Sequence, residues 1–352
     1  MDNKAQVEKD RSNGKLKELY ESIKQYAMLN AWSWLGDTDI FAIKFSDADE
    51  IYFCCVLGNA GESFGISIYE GIEGIRSYFS ILDGDYDFEE ESIHNVDAVT
   101  INLEDRNEIE NEDYELIRMS GVKFRGRKQW PEIRKYKPGF YPAILDYENT
   151  EVIEELTRIM KVVPGYVMYL HENMEKASLM QEGKCIVREY ESEDKFKEYE
   201  LDYDDYLTGD AAAVEIPLLY SETDIRRAIR KAKKSKDIWE VDIFNTITPV
   251  EEDGVGIFPA VMLFADVKSG MIAGYHMTHP YKMAEFQLYF LDTIKRNNIL
   301  PSKILIKQNP KMHYLYDLLR QLDIEVVVVE KLKLIPEIKK DMFESMRSFS
   351  WY

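Results

Sequence analysis

The residues whose chemistry could matter are three histidines, three cysteines and several clusters of carboxylates and cations. His276 and His279 are close in sequence, but His313 is remote, and no cysteine or carboxylate joins them at metal-ligand spacing, so they read as structural or surface histidines. Cys54, Cys55 and Cys185 make neither a CxxC pair nor a disulfide ladder. The first two lie in the apolar run 51–57, where buried thiols of a reducing compartment are expected. Asp83, Asp85 and Asp87 imitate the start of a calcium loop but lack its glycine at position six and glutamate at position twelve. Gly58, Gly61 and Gly65 are turn glycines, because no Gly-Lys-Ser/Thr follows them. The segment 118–137 carries eight basic residues interleaved with Phe124, Trp130 and Tyr136. Such a pattern can grip single-stranded nucleic acid by phosphate contact and stacking. In surroundings this acidic it reads better as the inner partner of the acidic stretches 83–115 and 189–205. A second basic run, 222–236, holds Arg226, Arg227, Arg230, Lys231, Lys233, Lys234 and Lys236. Arg226, Arg227, Arg230, Lys231 and Lys234 are the candidate nucleic-acid contacts.

The charge is unevenly distributed. Of a net −21 over 352 residues, residues 222–352 contribute 20 Lys+Arg against 18 Asp+Glu, leaving 24 against 47 for residues 1–221. The acidity therefore belongs to the N-terminal part, which repels phosphate backbones at long range, and the shift marks a boundary near 220–236. Apolar residues at 45% and aromatics at 12% suffice for real cores. The chain has no apolar run of about 18 residues and its first residues are polar, so a cytoplasmic protein with no membrane span is expected.

These residues need elements to position them. Leu16, Leu19, Tyr20, Ile23 and Ala27 follow the helical period over 15–29. Strand-like runs at 39–45, 51–57 and 64–69, separated by polar turns, predict an antiparallel meander. A helix follows at 71–82, a strand at 96–103, a helix at 151–160 and a hairpin at 184–190 and 197–203. Ser221 is a fair N-cap for a basic helix over 222–236. Beyond it the pattern predicts strands at 238–247, 259–267 and 270–278, then helix 281–297, strand 303–308, helix 311–321, strand 324–329 and helix 335–347. The expected fold class is an α+β N-terminal region, an antiparallel sheet with helices, followed by an α/β C-terminal domain. The expected domains are 1–221 (with a break near 150–180 if it divides), a linking helix 222–236, and 237–352.

That C-terminal order, with Ile238-Trp239-Glu240-Val241-Asp242, Asp266-Val267-Lys268-Ser269-Gly270 and the run Pro301 to Pro310, resembles the RNase H-like core of integrases and transposases. The resemblance implies three antiparallel strands, two further parallel strands and a site at which acids hold two Mg²⁺ ions for phosphodiester chemistry. It assigns Asp242 to the first strand and Glu344 to the last helix. At the third acidic position it places Gln308, whose neutral carbonyl weakens divalent binding. Asp266 is a further candidate acid, with capping of the turn 268–270 as its structural role. The segments 57–65, 69–74 and 124–131 resemble an uncharacterised bacterial family, which implies no activity.

Taken together, the residues favour a non-catalytic binding or scaffold protein with a degenerate RNase H-like domain, needing no cofactor and engaging a protein partner rather than nucleic acid. A Mg²⁺-dependent nuclease or phosphotransferase using Asp242, Glu344 and Asp266 is the alternative, and nucleic-acid binding through the basic helix a second one.

Overall fold

The computed structural model describes residues 2–82, 84, 91, 94–208 and 216–349, the side chains of 2–12 and 349 excepted. It divides into two compact units. One is formed by residues 1–83, 96–136 and 142–211, the other by 84–95, 137–141 and 212–352. The division expected at residue 221 is thus too simple. Two short segments of the N-terminal part, around Glu91–Asn95 and Lys137–Tyr141, belong to the C-terminal unit. Charge shift marks where composition changes but not where a chain makes brief excursions.

The first unit is built on eight strands: β1 (Phe41–Phe45), β2 (Ile51–Leu57), β3 (Gly65–Glu70), β4 (Ala98–Glu104), β5 (Trp130–Tyr136), β6 (Ala143–Ile144), β7 (Lys184–Ser192) and β8 (Lys195–Asp202). Their order is β6-β5-β4-β3-β2-β1-β7-β8, antiparallel except for the parallel β1–β7 pair. Helices α1 (Asp2–Ala27), α3 (Asn111–Ser120) and α4 (Thr150–Glu172) contribute to the core on one face. On the other lie α2 (Gly71–Leu82) and α6 (Tyr203–Thr208), with the short α5 (Met174–Ala177) between α4 and β7. Both faces are covered, so β2 is apolar without alternation. Phe53 and Cys55 enter one core, Cys54 and Val56 the other. Burial pushes the Cys55 and Cys185 thiols up to about 12, so both are inert. Gly65 has φ +149°, and a Cβ there would lie 2.0 Å from the Ile101 carbonyl oxygen, so the β3–β4 approach requires glycine. Helix α4 runs past residue 160 and through Pro164, because its apolar face continues with Val163, Val167 and Leu170.

The basic stretch 118–137 becomes the turn before β5 and β5 itself. Arg134 donates to both carboxylate oxygens of buried Asp113 at 2.8 Å and to Glu110 and Glu132. Lys128 is held by Glu104 and Glu108, and Phe124 is buried. The partner of these cations is the segment 104–115, not the 189–205 hairpin, whose acids pair with Lys195, Lys197, Arg188 and Lys176. The expected calcium-loop mimic at Asp83–Asp87 lies outside the described residues.

The second unit opens with α7 (Glu222–Lys231), whose capping box joins Ser221 and Asp224. The basic helix ends five residues earlier than expected, and β9 (Lys233–Lys234) pairs instead with β15 (Ile299–Leu300). The main sheet comprises β10 (Ile238–Asn245), β13 (Ala260–Asp266), β14 (Ile272–Thr278), β16 (Lys303–Ile306) and β17 (Glu325–Val328), in the order β14-β13-β10-β16-β17. A small hairpin, β11 (Val250–Glu252) and β12 (Val255–Ile257), sits between β10 and β13. The β10–β13–β14 pairings are antiparallel, and β16 and β17 run parallel to β10, as the element order predicts. Helices α8 (Phe286–Asn297) and α9 (His313–Gln321) cover one face around Trp239, Phe264 and Phe290. On the other face α10 (Ile335–Phe349) packs Ile335 and Phe343 against Phe244 and Leu263.

Two ion pairs of the first unit should separate cleanly by burial. Asp113→Ala removes the buried two-oxygen partner of Arg134 and leaves it Glu110 and Glu132, and should cost about 1.5–3 kcal/mol in urea unfolding. Glu115→Ala breaks only the exposed pair with Arg118 and should change stability by less than about 0.5 kcal/mol.

Candidate functional site

Strand β10 carries two buried carboxylates, Glu240 and Asp242, at 1% and 7% exposure. Alternation puts both on the α10 face of the sheet, since Trp239, Val241 and Ile243 point into the other core. Each is satisfied differently. Glu240 accepts three backbone hydrogen bonds, from Lys333 (2.9 Å), Leu334 (2.8 Å) and Ile335 (3.1 Å), and so anchors the N-terminus of α10.

Asp242 lies at the centre of a mixed network. Its Oδ1 accepts from the Asn309 side-chain amide at 2.9 Å and from the Ile243 backbone at 2.9 Å. Its Oδ2 accepts from Lys339 Nζ at 3.3 Å, and the same ammonium reaches Glu91 Oε1 at 2.7 Å. Lys339 is 2% exposed and lies 4.6 Å from the Phe244 ring centre. Asn309 also donates to the Ile243 carbonyl and accepts from the Lys311 backbone, which fixes its amide orientation. Lys311 Nζ reaches inward and donates to the Asn245 side-chain Oδ1, while the Asn245 side-chain NH₂ donates to the Phe258 backbone carbonyl. Burial of the Lys311 ammonium brings it down to about 8, against the opposing pull of Asp242 and Glu91, with Lys339 lowering it further.

The residues expected at this place are only partly brought together. Asp242 is there. Glu344 is not: it is exposed on α10, one residue and about 100° round the helix from buried Phe343. The inner stripe of α10 runs Ile335, Lys339, Phe343 at four-residue spacing, so the residue that reaches Asp242 is a lysine. Gln308 is exposed too, because β16 ends at Ile306 and the chain bends at 308, which turns Asn309 inward in its place. Asp266 caps its turn, accepting from the backbone and hydroxyl of Ser269 at 2.6 and 2.8 Å, and is separate from the network. Glu91, Lys311 and Lys339 were missed by sequence reasoning. A lysine in the apolar stripe of α10 was the one available signal; for Glu91 there was none.

The arrangement does not fit a divalent cation. Two carboxylates converge, but an ammonium stands between them, and the Asn309 NH₂ group faces Asp242 where a metal site needs oxygens. Among the described residues three other carboxylates, Glu110, Asp113 and Glu132, come within metal-binding distance of one another, and there Arg134 holds the position. The histidines do not converge: His276 stacks on Tyr289, His279 accepts from the Tyr281 backbone, and His313 is exposed. Arg226, Arg227, Arg230, Lys231 and Lys234 are all exposed; Arg226 pairs with Glu222 and Lys234 with Asp323.

The sheet order and strand directions of the second unit define a mixed α/β fold. Residues 17–188 match a domain of unknown function, DUF7309, and residues 224–343 match a second, DUF6930. No curated protein matches the chain. Among solved structures, the catalytic core domain of HTLV-2 integrase in complex with magnesium is similar at 13% identity and a TM-score of 0.25, over 34% of this chain and 74% of that one. The catalytic core of BIV integrase is similar at 12% identity and a TM-score of 0.24, over 33% of this chain and 72% of that one. No helix among the described residues is long and apolar enough to cross a membrane.

Lys311 provides a pH signature for the network. Its folded value lies below the ordinary lysine value of 10.5. Below about pH 8 both states are protonated and the folded state bears the cost of the buried charge. Between about 8 and 10.5 the folded state releases the proton first, so stability should rise with pH across that window. Urea unfolding of the wild type and Lys311→Met at pH 7 and pH 9.5 checks this: the wild type should gain on the variant as pH rises.

Proposed function

We propose that this chain is a non-catalytic binding or scaffold protein, with an acidic α+β N-terminal region and an RNase H-like C-terminal domain that has lost its chemistry. The observation that carries this reading is Lys339. Its ammonium lies between Asp242 and Glu91, where two-metal chemistry would need cations with open coordination positions. A lysine supplies the charge but neither a Lewis acid nor an activated water. The uncharged side chains that complete the network, Asn309 and Asn245, are oriented by bonds to the backbone and not toward a vacant coordination sphere. A protein partner is favoured over nucleic acid because residues 1–221 carry the negative charge of the chain.

The test is titration calorimetry with Mn²⁺ and Mg²⁺. The wild type should show no binding at millimolar metal. Lys339→Ala, which frees both carboxylates, should acquire weak Mn²⁺ affinity and lose about 3 kcal/mol of stability in metal-free buffer. Submillimolar metal binding by the wild type, with metal-dependent cleavage of DNA or RNA that Asp242→Asn abolishes, would establish the nuclease reading instead. Steeply salt-dependent binding of duplex DNA that is lost on neutralising Arg227, Arg230 and Lys231 would establish the nucleic-acid reading.

A further inference from the structure

Surface cations that have no acid of their own form a patch that an acid from another molecule can complement. In the first unit the exposed cations Arg118, Arg158, Lys161, Lys195 and Lys197 are each paired with a carboxylate. The stretch 227–236 of the second unit differs. Arg227, Arg230, Lys231, Lys233 and Lys236 are exposed and make no ion pair among the described residues.

The helix gathers these charges. Ile225 and Ala228 of α7 enter the core with Trp239 and Phe290. At 100° per residue, Arg226, Arg227 and Arg230 then fall within an arc of about 100° on the opposite side. β9 follows two residues past the helix end with exposed Lys233 and Lys234. Ile229 lies at the border between the arginine arc and the core and is 39% exposed. Carboxylates close the patch at both ends. Glu222 and Asp224 stand at the helix start, the first paired with Arg226, and Asp323 pairs with Lys234 beyond the helix end.

We propose that the exposed face of α7 docks a short acidic segment of a partner protein. The inference rests on the reading that the partner is a protein, and it supplies the surface and the chemistry. Charge complementarity selects an anion, and the guanidinium fork of each arginine suits a carboxylate in two-bond geometry. The extent of the patch then selects a short one. Helix α7 is ten residues long, about 15 Å. A duplex carries one negative charge per ~1.7 Å along its axis. It would overrun the cations onto Glu222, Asp224 and Asp323, in a chain whose residues 1–221 already repel it. An acidic peptide segment can end where the cations end. A single strand fits no better, because no Phe, Trp or Tyr occurs from residue 221 to 238 to stack its bases. Ile229 offers an apolar contact to a peptide side chain instead.

The experiment is fluorescence anisotropy on the full chain with a labelled Glu-Ala repeat peptide, its Gln-Ala counterpart, a DNA duplex and a DNA single strand. The wild type should bind the glutamate peptide with a Kd on the order of 10–100 µM at low salt, weakening as salt is added. The other three probes should bind at least about tenfold more weakly. Arg227→Glu/Arg230→Glu should weaken peptide binding by about tenfold or more with an unchanged thermal midpoint, because both side chains are exposed. Lys268→Glu/Lys282→Glu makes the same change in net charge at exposed cations outside α7 and should leave the Kd within about twofold. No binding of the glutamate peptide at about 1 mM overturns the proposal. So does equal binding of the glutamine peptide, or an equal loss in the Lys268/Lys282 variant. Tighter binding of either DNA through Arg227 and Arg230 overturns it in favour of nucleic acid. None of these measurements reads metal-dependent cleavage, so a failed peptide titration would remove this surface and leave the non-catalytic reading standing.

Discussion

A carboxylate placed inside a sheet-and-helix sandwich has to be neutralised or given several donors, because an unpaired buried charge costs more than the local packing returns. The second unit depends on how β10 meets that constraint twice in three residues. Glu240 is answered by the backbone at the start of α10, Asp242 by the ammonium of Lys339 one turn further along. The two bonds fix both the axial position and the rotation of α10 over the sheet. They thereby place Phe343 against Phe244 and leave Glu344 in solvent. The same helix, rotated by about one residue, would turn Glu344 into the inner stripe in place of Phe343; the bond from Lys339 to Asp242 opposes that rotation.

The first unit solves the same problem in the same way. Asp113, Glu110 and Glu132 would repel one another if left alone, and Arg134 gathers them with its forked donors. Arginine suits three carboxylates around one buried position because it presents five N–H donors in a plane, whereas lysine suits the narrower gap between Asp242 and Glu91 as a point charge. In both units an internal cation holds a cluster that composition alone would nominate for a metal. An acidic chain of this kind is better understood by asking which cation each buried acid owns.

Much of the architecture was legible in the sequence. Alternating and continuous apolar runs located most strands, and the order of elements after residue 236 sufficed for the β14-β13-β10-β16-β17 sheet, because parallel steps need helical crossovers and hairpins do not. Helix α3 and strand β5 were not legible. Their apolar residues are interrupted by charges that pair with each other only once the sheet has formed, so the segment 104–137 reads as a polar stretch until Arg134 meets Asp113. The helix expected at 151–160 extends to residue 172, its buried apolar face carrying α4 through Pro164, a residue that ordinarily ends a helix.

The sequence by itself determined that β10 carries acids at 240 and 242 on one face, that a helix follows near residue 335, and that the excess of negative charge lies in the first 221 residues. These follow from periodicity and counting, which are local properties. Tertiary structure alone decided which residues meet Asp242. A helix rotation of one residue separates Glu344 from the inner stripe, a bend after Ile306 exchanges Gln308 for Asn309, and Glu91 arrives from about 150 positions away in sequence. Side-chain convergence depends on rotations of about 100° and on chain excursions that no periodicity records, whereas the pairing of strands depends only on their order and length.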